Sequence, residues 1–268
     1  MQTVKFDDRM YFTSELMEEI PQIVHCFTSK SGGESMGKIS GLNLGFRVGD
    51  DCDAVAANYR LVAKDLGFPE TRMTAAKQTH STDIVVVSDE NAGCGVSRLS
   101  KTFEADGLVT NLNNTPIGVF YADCVPILLA DISAGVIAAV HSGWRGTVGR
   151  IAENGIRVMC ERFGASPCNI IAVIGPSIGP CCFETAAEVA AEFDETLRKS
   201  LPDGKFKVDL WEANRRILLG CGVLPENIDV FGLCTICRND ILYSYRTHKD
   251  KTGRMGAFIM LKSDKDKD

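Results

Sequence analysis

A hydrophobic segment from Tyr121 to Arg145 constrains the fold of this chain more than any other part of the sequence. It reads YADCVPILLADISAGVIAAVHSGWR and contains two apolar stretches, Val125–Asp131 and Gly135–His141, on either side of a short turn. Apolar stretches of this length between turn-forming residues are typical of buried β-strands. The sequence therefore predicts an antiparallel hairpin whose two strands lie in the core.

The position of the turn predicts which residues of the two strands face each other. If the turn is centred between Ile132 and Ser133, Cys124 and His141 lie directly opposite each other at the open end of the hairpin. Opposed residues on one sheet face have Cβ atoms about 4.5–5.5 Å apart. A thiolate and an imidazole at that separation can bind one zinc ion through bonds of about 2.3 and 2.0 Å. They can equally act as a nucleophile and its general base in acyl transfer, so the pair alone leaves both interpretations open.

A third ligand would distinguish a metal site from a nucleophilic pair. The sequence contains four histidines: His25, His80, His141 and His248. His80 follows a polar segment and precedes the predicted strand Ile84–Val87, a position where loops often carry functional residues. His25 lies in an ordinary strand context, so His80 is the preferred third ligand.

Length, composition and charge exclude several classes of protein. The chain has 268 residues, of which 45% are hydrophobic, and a formal net charge of −6. A chain of this length can bury a large core, and the negative charge argues against a nucleic-acid partner. There is no apolar run of membrane-spanning length and no pattern typical of a signal peptide. Eleven cysteines without an export signal favour a reducing, cytoplasmic location.

The predicted elements alternate without a composition break, which favours one domain. We expect an α+β fold, with mixed β-sheets packed with helices in a single compact domain, residues 1–261, and a disordered tail, 262–268. Predicted helices are Ala54–Leu66, Thr147–Phe163, a helix from a Thr185/Glu188 capping box to Leu201, and Asp209–Cys221. Further predicted strands are Ala105–Thr110, Ile117–Tyr121, Ile170–Gly175, Ile228–Leu233, Ile241–Tyr245 and Ala257–Leu261.

Two other features have both a functional and a structural interpretation. Arg145 lies near the predicted start of a helix beside His141, where its charge and free backbone N–H groups favour an anion such as phosphate. A salt-bridged surface arginine explains it equally well. Cys234 and Cys237 form one CxxC pair, but Cys181 and Cys182 are adjacent rather than spaced as zinc ligands usually are. Packing is the preferred interpretation of these four cysteines, and their role stays open.

The chain resembles the YfiH-like family, also called the laccase-domain or multicopper polyphenol oxidoreductase family, which includes peptidoglycan editing factors. The resemblance spans nearly the whole chain. The matching segments are FTSKSGG, GLNLGFRVGDD, KQTHSTDIVVV, ADGLVTN, YADCVPILL, AVHSGWRGTVGRI, GPSIGPCCFE, WEANRRILLGCGV and CTICRNDILYSYRTHKDKTGRMGAFIML. The resemblance implies a metal triad of His80, Cys124 and His141. Where the family often has arginine, in its FTTRxGG-like segment, this chain has Lys30, which keeps the charge but lacks a bidentate fork.

The resemblance also implies a function, a zinc-dependent purine nucleoside phosphorylase. Such proteins cleave adenosine, inosine, guanosine or methylthioadenosine with phosphate to the base and ribose 1-phosphate, and adenosine deamination occurs as a side activity. Cys124, Asp123 and Arg145 are the expected catalytic residues. The residues expected to bind substrate or phosphate are Lys30, Asn43, Arg145, Arg246 and Arg254.

Alternative functions remain open at this point. One is a hydrolase of the amidase type, with a nucleophilic Cys124 or a zinc ion, that edits peptidoglycan precursors. Another is polyphenol oxidation, but four histidines are too few for a blue-copper centre together with a trinuclear copper cluster. Copper can still replace zinc at a His/Cys/His site in vitro, because it binds such ligands more strongly. A non-catalytic metal-binding protein is a third possibility. The sequence leaves the oligomeric state open between a monomer and a weak dimer.

Overall fold

Two six-stranded sheets and one three-stranded sheet form the framework of the computed structural model, which describes residues 1–263. The strands are β1 (Gln2–Phe6), β2 (Arg9–Thr13), β3 (Ile23–Thr28), β4 (Thr74–Ala75), β5 (Ile84–Val86), β6 (Gly107–Thr110), β7 (Ile117–Tyr121), β8 (Val125–Asp131), β9 (Val136–Ser142), β10 (Ile171–Ile174), β11 (Glu184–Thr185), β12 (Arg198–Ser200), β13 (Phe206–Val208), β14 (Ile228–Val230) and β15 (Met255–Leu261). The helices are α1 (Glu15–Glu18), α2 (Cys52–Leu66), α3 (Trp144–Val148), α4 (Ile151–Phe163), α5 (Ala187–Ala191), α6 (Leu210–Gly220) and α7 (Tyr245–His248).

The strand order confirms the predicted α+β class. The first sheet has the order β1-β2-β3-β15-β7-β4, the second β14-β10-β8-β9-β6-β5 and the small sheet β11-β13-β12. Both large sheets mix parallel and antiparallel pairs; β10 and β14, for example, run parallel, while β10 and β8 run antiparallel. Of the predicted tail, residues 264–268 lie outside the described residues. The backbone N–H of Lys262 donates to the carbonyl of Gln22 at 2.7 Å.

The two large sheets pack face to face, and helices cover their outer faces. Leu128 of β8 belongs to the same apolar cluster as Ile259 of β15, between the sheets. Leu129, the next residue, packs on the other face with Ile156 of α4. Tyr59 of α2 covers the far side of the first sheet. Because β8 and β9 are buried on both faces, they read as continuous apolar runs without alternation.

The predicted hairpin forms, but its predicted register is wrong. His141 faces Pro126 and not Cys124, so the strands are shifted by two residues relative to the prediction. Side chains alternate between faces along a strand, and an even shift therefore keeps the same residues on the same face. Cys124 and His141 consequently still approach each other, along a diagonal.

The cause of the shift is the length of the turn. The turn contains four residues, 132–135, and its centre therefore lies one residue later than predicted. The Asp131 carboxylate accepts a hydrogen bond from the backbone N–H of Ala134 at 3.1 Å, and Gly135 adopts the left-handed φ of 61° that closes the turn. Glycine adopts this conformation without steric cost.

Three other predicted elements differ from the structure. The helix predicted at 147–163 is broken between Val148 and Ile151, where Arg150 adopts a left-handed φ of 57°. The helix predicted from Thr185 to Leu201 ends at Ala191, and the segment after it forms a 3₁₀ turn and β12. The strand predicted at 241–245 is absent from the described residues, because Ser244 begins α7 by accepting a hydrogen bond from Thr247 N. In residues 1–263 we find no helix with the length and apolar character to cross a membrane.

His25 is expected to make folding stability depend on pH. It is buried in β3, where its Nε2 accepts a hydrogen bond from Ser14 N at 2.8 Å, and burial lowers the pKa of its imidazole to about 4. The folded state therefore resists protonation that the unfolded chain accepts near pH 6.5. We expect this histidine to lower the free energy of unfolding by about 3 kcal/mol as pH falls from 6.5 to 4.

Urea unfolding of the wild type and His25→Gln across that pH range would test this prediction, because glutamine keeps a hydrogen-bond acceptor but does not titrate. The slope of stability against pH should be smaller in the variant. Equal slopes in the two proteins would contradict the prediction.

Candidate active site

Three potential metal ligands come together at the open end of the hairpin. His80 lies in the loop before β5, Cys124 immediately before β8 and His141 near the end of β9. Their ligand atoms all lie within 4.8 Å of one another, and Cys124 Sγ is 3.9 Å from His80 Nε2. Bonds of about 2.0–2.3 Å to a tetrahedral ion separate ligand atoms by roughly 3.3–3.8 Å. The three side chains therefore fit a single zinc-sized ion with small adjustments.

Asp106 holds two of these ligands in place. Its fully buried carboxylate accepts backbone N–H groups from Thr79, His80 and Ser81 at 2.7–3.0 Å. These contacts stabilise the left-handed φ of 60° at His80, which a histidine adopts only when its surroundings impose it. The same carboxylate lies 2.8 Å from Nδ1 of His141, so Nε2 of that ring faces the other ligands.

Sequence reasoning did not select Asp106 as a functional residue. The available signal was weak: an aspartate in the segment ADGLVTN, one residue before β6. A short aspartate–glycine pair before a strand is more typical of a turn. Its role is evident only from the fold, in which the loop that carries His80 lies against it.

The triad strongly favours the ionised form of Cys124. Burial raises the pKa of the thiol, but the charge of His141 and hydrogen bonds from His141 and His80 outweigh burial and lower it to about 6. Burial lowers the pKa of His141, but the Cys124 thiolate and Asp106 raise it to about 9. These contacts favour the thiolate of Cys124, the form that binds metals and acts as a nucleophile.

A cavity of about 690 Å³ contains the triad on its wall. This volume lies within the range of small-molecule sites. Much of the lining is aromatic or aliphatic, and cations face the same space. The apolar side chains include Leu44, Phe46, Val48, Phe120, Trp144, Ile178, Phe183 and Tyr245. The cations are Arg47, Lys77, Arg246 and Arg254. Arg47 and the aromatic residues come from several strands, helices and loops that are far apart in the sequence, which is why sequence reasoning missed them.

Asp123 organises the loop that leads to α7. One carboxylate oxygen accepts a hydrogen bond from Thr235 Oγ1 and the other from the backbone N–H of Arg246, both at 2.6 Å. The backbone of Asp123 has a left-handed φ of 90°, and its carbonyl accepts a hydrogen bond from Ile178 N at 2.8 Å. This residue, which we expected to be catalytic, therefore ties two loops of the cavity wall to the segment that carries Cys124.

Arg254 and Asn43 have different positions relative to the cavity. Arg254 lines it, and its guanidinium lies 5.8 Å from the centre of the Tyr245 ring. Burial lowers the pKa of Arg254, but an arginine remains cationic in proteins. Asn43 is fully buried, and its Oδ1 accepts hydrogen bonds from the backbone N–H groups of Gly45 and Arg254 at 2.9 and 2.8 Å. Asn43 thus positions the backbone of Arg254 and does not line the cavity.

Two further predicted residues also lie away from the cavity wall. Arg145 is exposed, and its guanidinium stacks over Trp144 at 4.3 Å. Lys30 donates a hydrogen bond from Nζ to the carbonyl of Asn239. Of the five residues that we expected to bind substrate or phosphate, the structure places Arg246 and Arg254 on the same cavity as the triad.

Most of the chain matches a known protein family. Residues 24–262 match the family model described as multi-copper polyphenol oxidoreductase laccase. The chain belongs to this laccase family. The matched residues include all three members of the triad, and the match confirms the family resemblance seen in the sequence.

Relatives of this laccase-family chain carry enzyme names. The purine nucleoside phosphorylase YlmD of Geobacillus stearothermophilus is 38% identical over 240 residues, which cover 87% of this chain and 88% of the relative. The adenosine deaminase RL5 of an unknown prokaryotic organism is 36% identical over 235 residues, covering 85% and 89% of the two chains. The crystal structure of a hypothetical protein YfiH from Bacillus licheniformis has a TM-score of 0.89 and 32% identity, and covers 96% of this chain and 97% of its own.

The position of Asp106 predicts that this laccase-family chain loses metal affinity when the carboxylate is neutralised. In Asp106→Asn the amide cannot accept the same hydrogen bonds, so His80 and His141 lose their fixed orientation. We expect zinc affinity at the triad to fall about 10- to 100-fold. Competition with a chromogenic chelator would measure it.

The matched control is Asp83→Asn, an exposed aspartate on the loop that carries His80. Both variants keep every other potential ligand, so the difference between them reports the triad alone. Equal zinc affinities in the two variants would show that Asp106 does not orient the ligands.

Proposed function

We propose that this chain is a zinc-dependent purine nucleoside phosphorylase. The substrates are adenosine, inosine, guanosine or methylthioadenosine, and the products are the purine base and ribose 1-phosphate. In the reaction a phosphate oxygen forms a bond to C1′ of the ribose while the C1′–N9 bond breaks, and the released purine takes up a proton. We also propose adenosine deamination as a second activity of the same site.

The observation that carries this proposal is the shared cavity of the triad, Arg246 and Arg254, in a chain whose relatives are named purine nucleoside phosphorylases. Phosphorolysis requires an anion-binding group beside an apolar space for a flat base. Two arginines supply the cationic side, and the aromatic wall supplies stacking surface. The cavity is large enough for a nucleoside and phosphate together.

The donor chemistry of the triad suits a zinc ion. Two imidazoles and one thiolate are ordinary zinc ligands, and three protein ligands leave one position open, as in catalytic zinc sites. A zinc ion held by His80, Cys124 and His141 would supply a Lewis acid that polarises an oxygen of phosphate or substrate.

The protein side chains have separate tasks in this proposal. Arg254 binds phosphate and offsets negative charge as the glycosidic bond breaks, because cations aimed at developing charge stabilise a transition state. Asp123 fixes the backbone of Arg246 and the loop before Cys124, so it positions both. Asp106 keeps the His141 ring in the orientation that presents Nε2 to the site.

Phosphate dependence tests the proposal. The zinc-loaded protein should convert inosine to hypoxanthine and ribose 1-phosphate in phosphate buffer, and release little hypoxanthine in a buffer without phosphate. His141→Ala, purified in the same way, controls for a contaminating host phosphorylase. Equal hypoxanthine release with and without phosphate would show hydrolysis and would refute phosphorolysis.

A second candidate is a cysteine hydrolase of the amidase type that acts on peptidoglycan precursors. The lowered pKa of Cys124 beside His141 favours it, because the same pair is a competent nucleophile and base when no metal is bound. Cys124→Ser distinguishes the two roles. A variant that retains zinc but loses amide hydrolysis would favour the nucleophile.

A further inference from the structure

Four cysteines outside the triad lie close together at one end of the second sheet, where strands β10 and β14 finish. Cys181 and Cys182 lie in the loop after β10, and Cys234 and Cys237 lie in the turn after β14. Because β10 and β14 are parallel neighbours, both strands finish at the same end of the sheet. We call these four residues the cysteine cluster. Sequence reasoning did not predict this convergence, since Cys181 and Cys237 lie 56 residues apart along the chain.

The sulfur atoms of the cysteine cluster are spaced like metal ligands. All four lie within 4.8 Å of one another, and Cys237 Sγ is 3.6 Å from both Cys181 Sγ and Cys182 Sγ. A tetrahedral zinc ion with Zn–S bonds of about 2.3 Å separates its sulfurs by about 3.8 Å. In the described part of the chain all cysteines are free thiols, so no disulfide accounts for the short distances.

The backbone around Cys234 favours a thiolate. The backbone N–H groups of Cys237, Gly179 and Ile236 donate hydrogen bonds to its sulfur. The Gly179 N–H lies 3.3 Å from the sulfur. Backbone donors that converge on one sulfur of a CxxC turn stabilise its negative charge, as they do at anion-binding and iron–sulfur sites.

The other thiols of the cluster need a cation before they can ionise together. Several thiolates within a few ångströms repel one another. A bound divalent cation removes this penalty, and each thiol releases its proton to solvent as its sulfur binds.

We propose that the cysteine cluster is a second metal site, which binds a thiophilic divalent cation such as Zn²⁺ through Cys181, Cys182, Cys234 and Cys237. Four sulfur ligands leave no open position, which is typical of a structural site and not of a catalytic one. Soft thiolate ligands also select zinc over magnesium, calcium or manganese. The site is independent of the proposed catalytic function, because none of the four cysteines lines the cavity.

The position of this site gives it a structural role. Ile178 and Phe183, which flank Cys181 and Cys182, line the cavity. Thr235, which follows Cys234, donates a hydrogen bond to Asp123, and its backbone N–H donates to Ser177 O at 3.1 Å. A metal in the cysteine cluster would therefore hold the loop of Ile178 and Phe183, which lines the cavity, against the loop of Thr235, which contacts Asp123.

Metal stoichiometry separates the two sites. Full-length protein, purified with reductant and equilibrated with Zn²⁺, is analysed by mass spectrometry of the metal. We expect about two zinc ions per chain in the wild type, one in Cys181→Ser/Cys237→Ser, one in His80→Ala/His141→Ala and none when all four changes are combined. Cys52→Ser/Cys168→Ser, two exposed cysteines outside both sites, is the matched control and should keep two ions.

Cobalt provides a second readout that does not depend on activity. Co²⁺ added to His80→Ala/His141→Ala should give the intense sulfur-to-cobalt absorption of a tetrahedral thiolate site, and the combined variant should lack it. Zinc retained by the Cys181→Ser/Cys237→Ser protein at the triad would show that this variant is folded. The proposal is overturned if His80→Ala/His141→Ala binds neither ion, or if the intact mass shows that the four cysteines form disulfides in the reduced preparation.

Discussion

His141→Ala is expected to lower kcat/KM for inosine phosphorolysis by at least about 10³-fold, because the triad then keeps only two ligands for zinc. The substitution also leaves the buried carboxylate of Asp106 without its imidazole partner, which loosens the loop that carries His80. Kinetics at saturating phosphate, together with the zinc content of the same sample, would measure both effects.

The control for this prediction is His248→Ala, since His248 is an exposed histidine that does not line the cavity. That variant should keep its zinc and stay within a few-fold of the wild-type kcat/KM. Full activity in a His141→Ala protein with an empty triad would rule out a metal-dependent reaction at this site.

Arg254→Ala is expected to lower kcat/KM for phosphate by about 10²- to 10³-fold, with a smaller effect on the KM for the nucleoside. The reason is that Arg254 is the partly buried cation of the cavity, and its backbone is fixed by Asn43. Arg254→Lys should recover only part of the loss, because lysine keeps the charge but cannot form the bidentate fork. Initial rates at varied phosphate and fixed inosine would separate the two constants.

Arg162→Ala, which changes an exposed arginine of α4, is the matched control and should behave as the wild type.

Arg145→Ala tests the residue that we expected from the sequence to bind phosphate. Since Arg145 is exposed and stacks on Trp144, we expect it to change the KM for phosphate much less than Arg254→Ala does. A larger effect at Arg145 than at Arg254 would mean that phosphate binds on the other side of the triad.

The sequence predicted the elements that carry the triad, but not their fine alignment. The strands of the hairpin were recognisable because both are buried on two faces and therefore read as long apolar runs. The register was missed because it depends on the Asp131 side chain, which extends the turn by hydrogen bonding to Ala134. Similarly, the helix predicted after Thr185 ends early because Asp194 caps a new turn by accepting from Thr196 N.

The candidate site was only partly visible for a related reason. His80, Cys124 and His141 could be selected by residue type, whereas arginines are common and their direction depends on the loops that carry them. Arg145 has the charge that phosphate requires but lies on the outer side of Trp144, and Asn43 is used by the backbone of Arg254. The cysteine cluster was missed because the adjacency of Cys181 and Cys182 does not resemble the usual spacing of zinc ligands, although the fold brings them to a CxxC turn.

The hydrogen bonds around Asp106 have a consequence for metal selectivity. The loop that carries His80 is held by hydrogen bonds from three successive backbone N–H groups to the Asp106 carboxylate. None of these hydrogen bonds needs a metal to form. A ligand set that is held in place without a metal can accept different ions of similar size. Copper binds imidazole and thiolate ligands more strongly than zinc does. If the triad binds a metal as proposed, the concentrations of exchangeable ions in the cell would then decide which element occupies it.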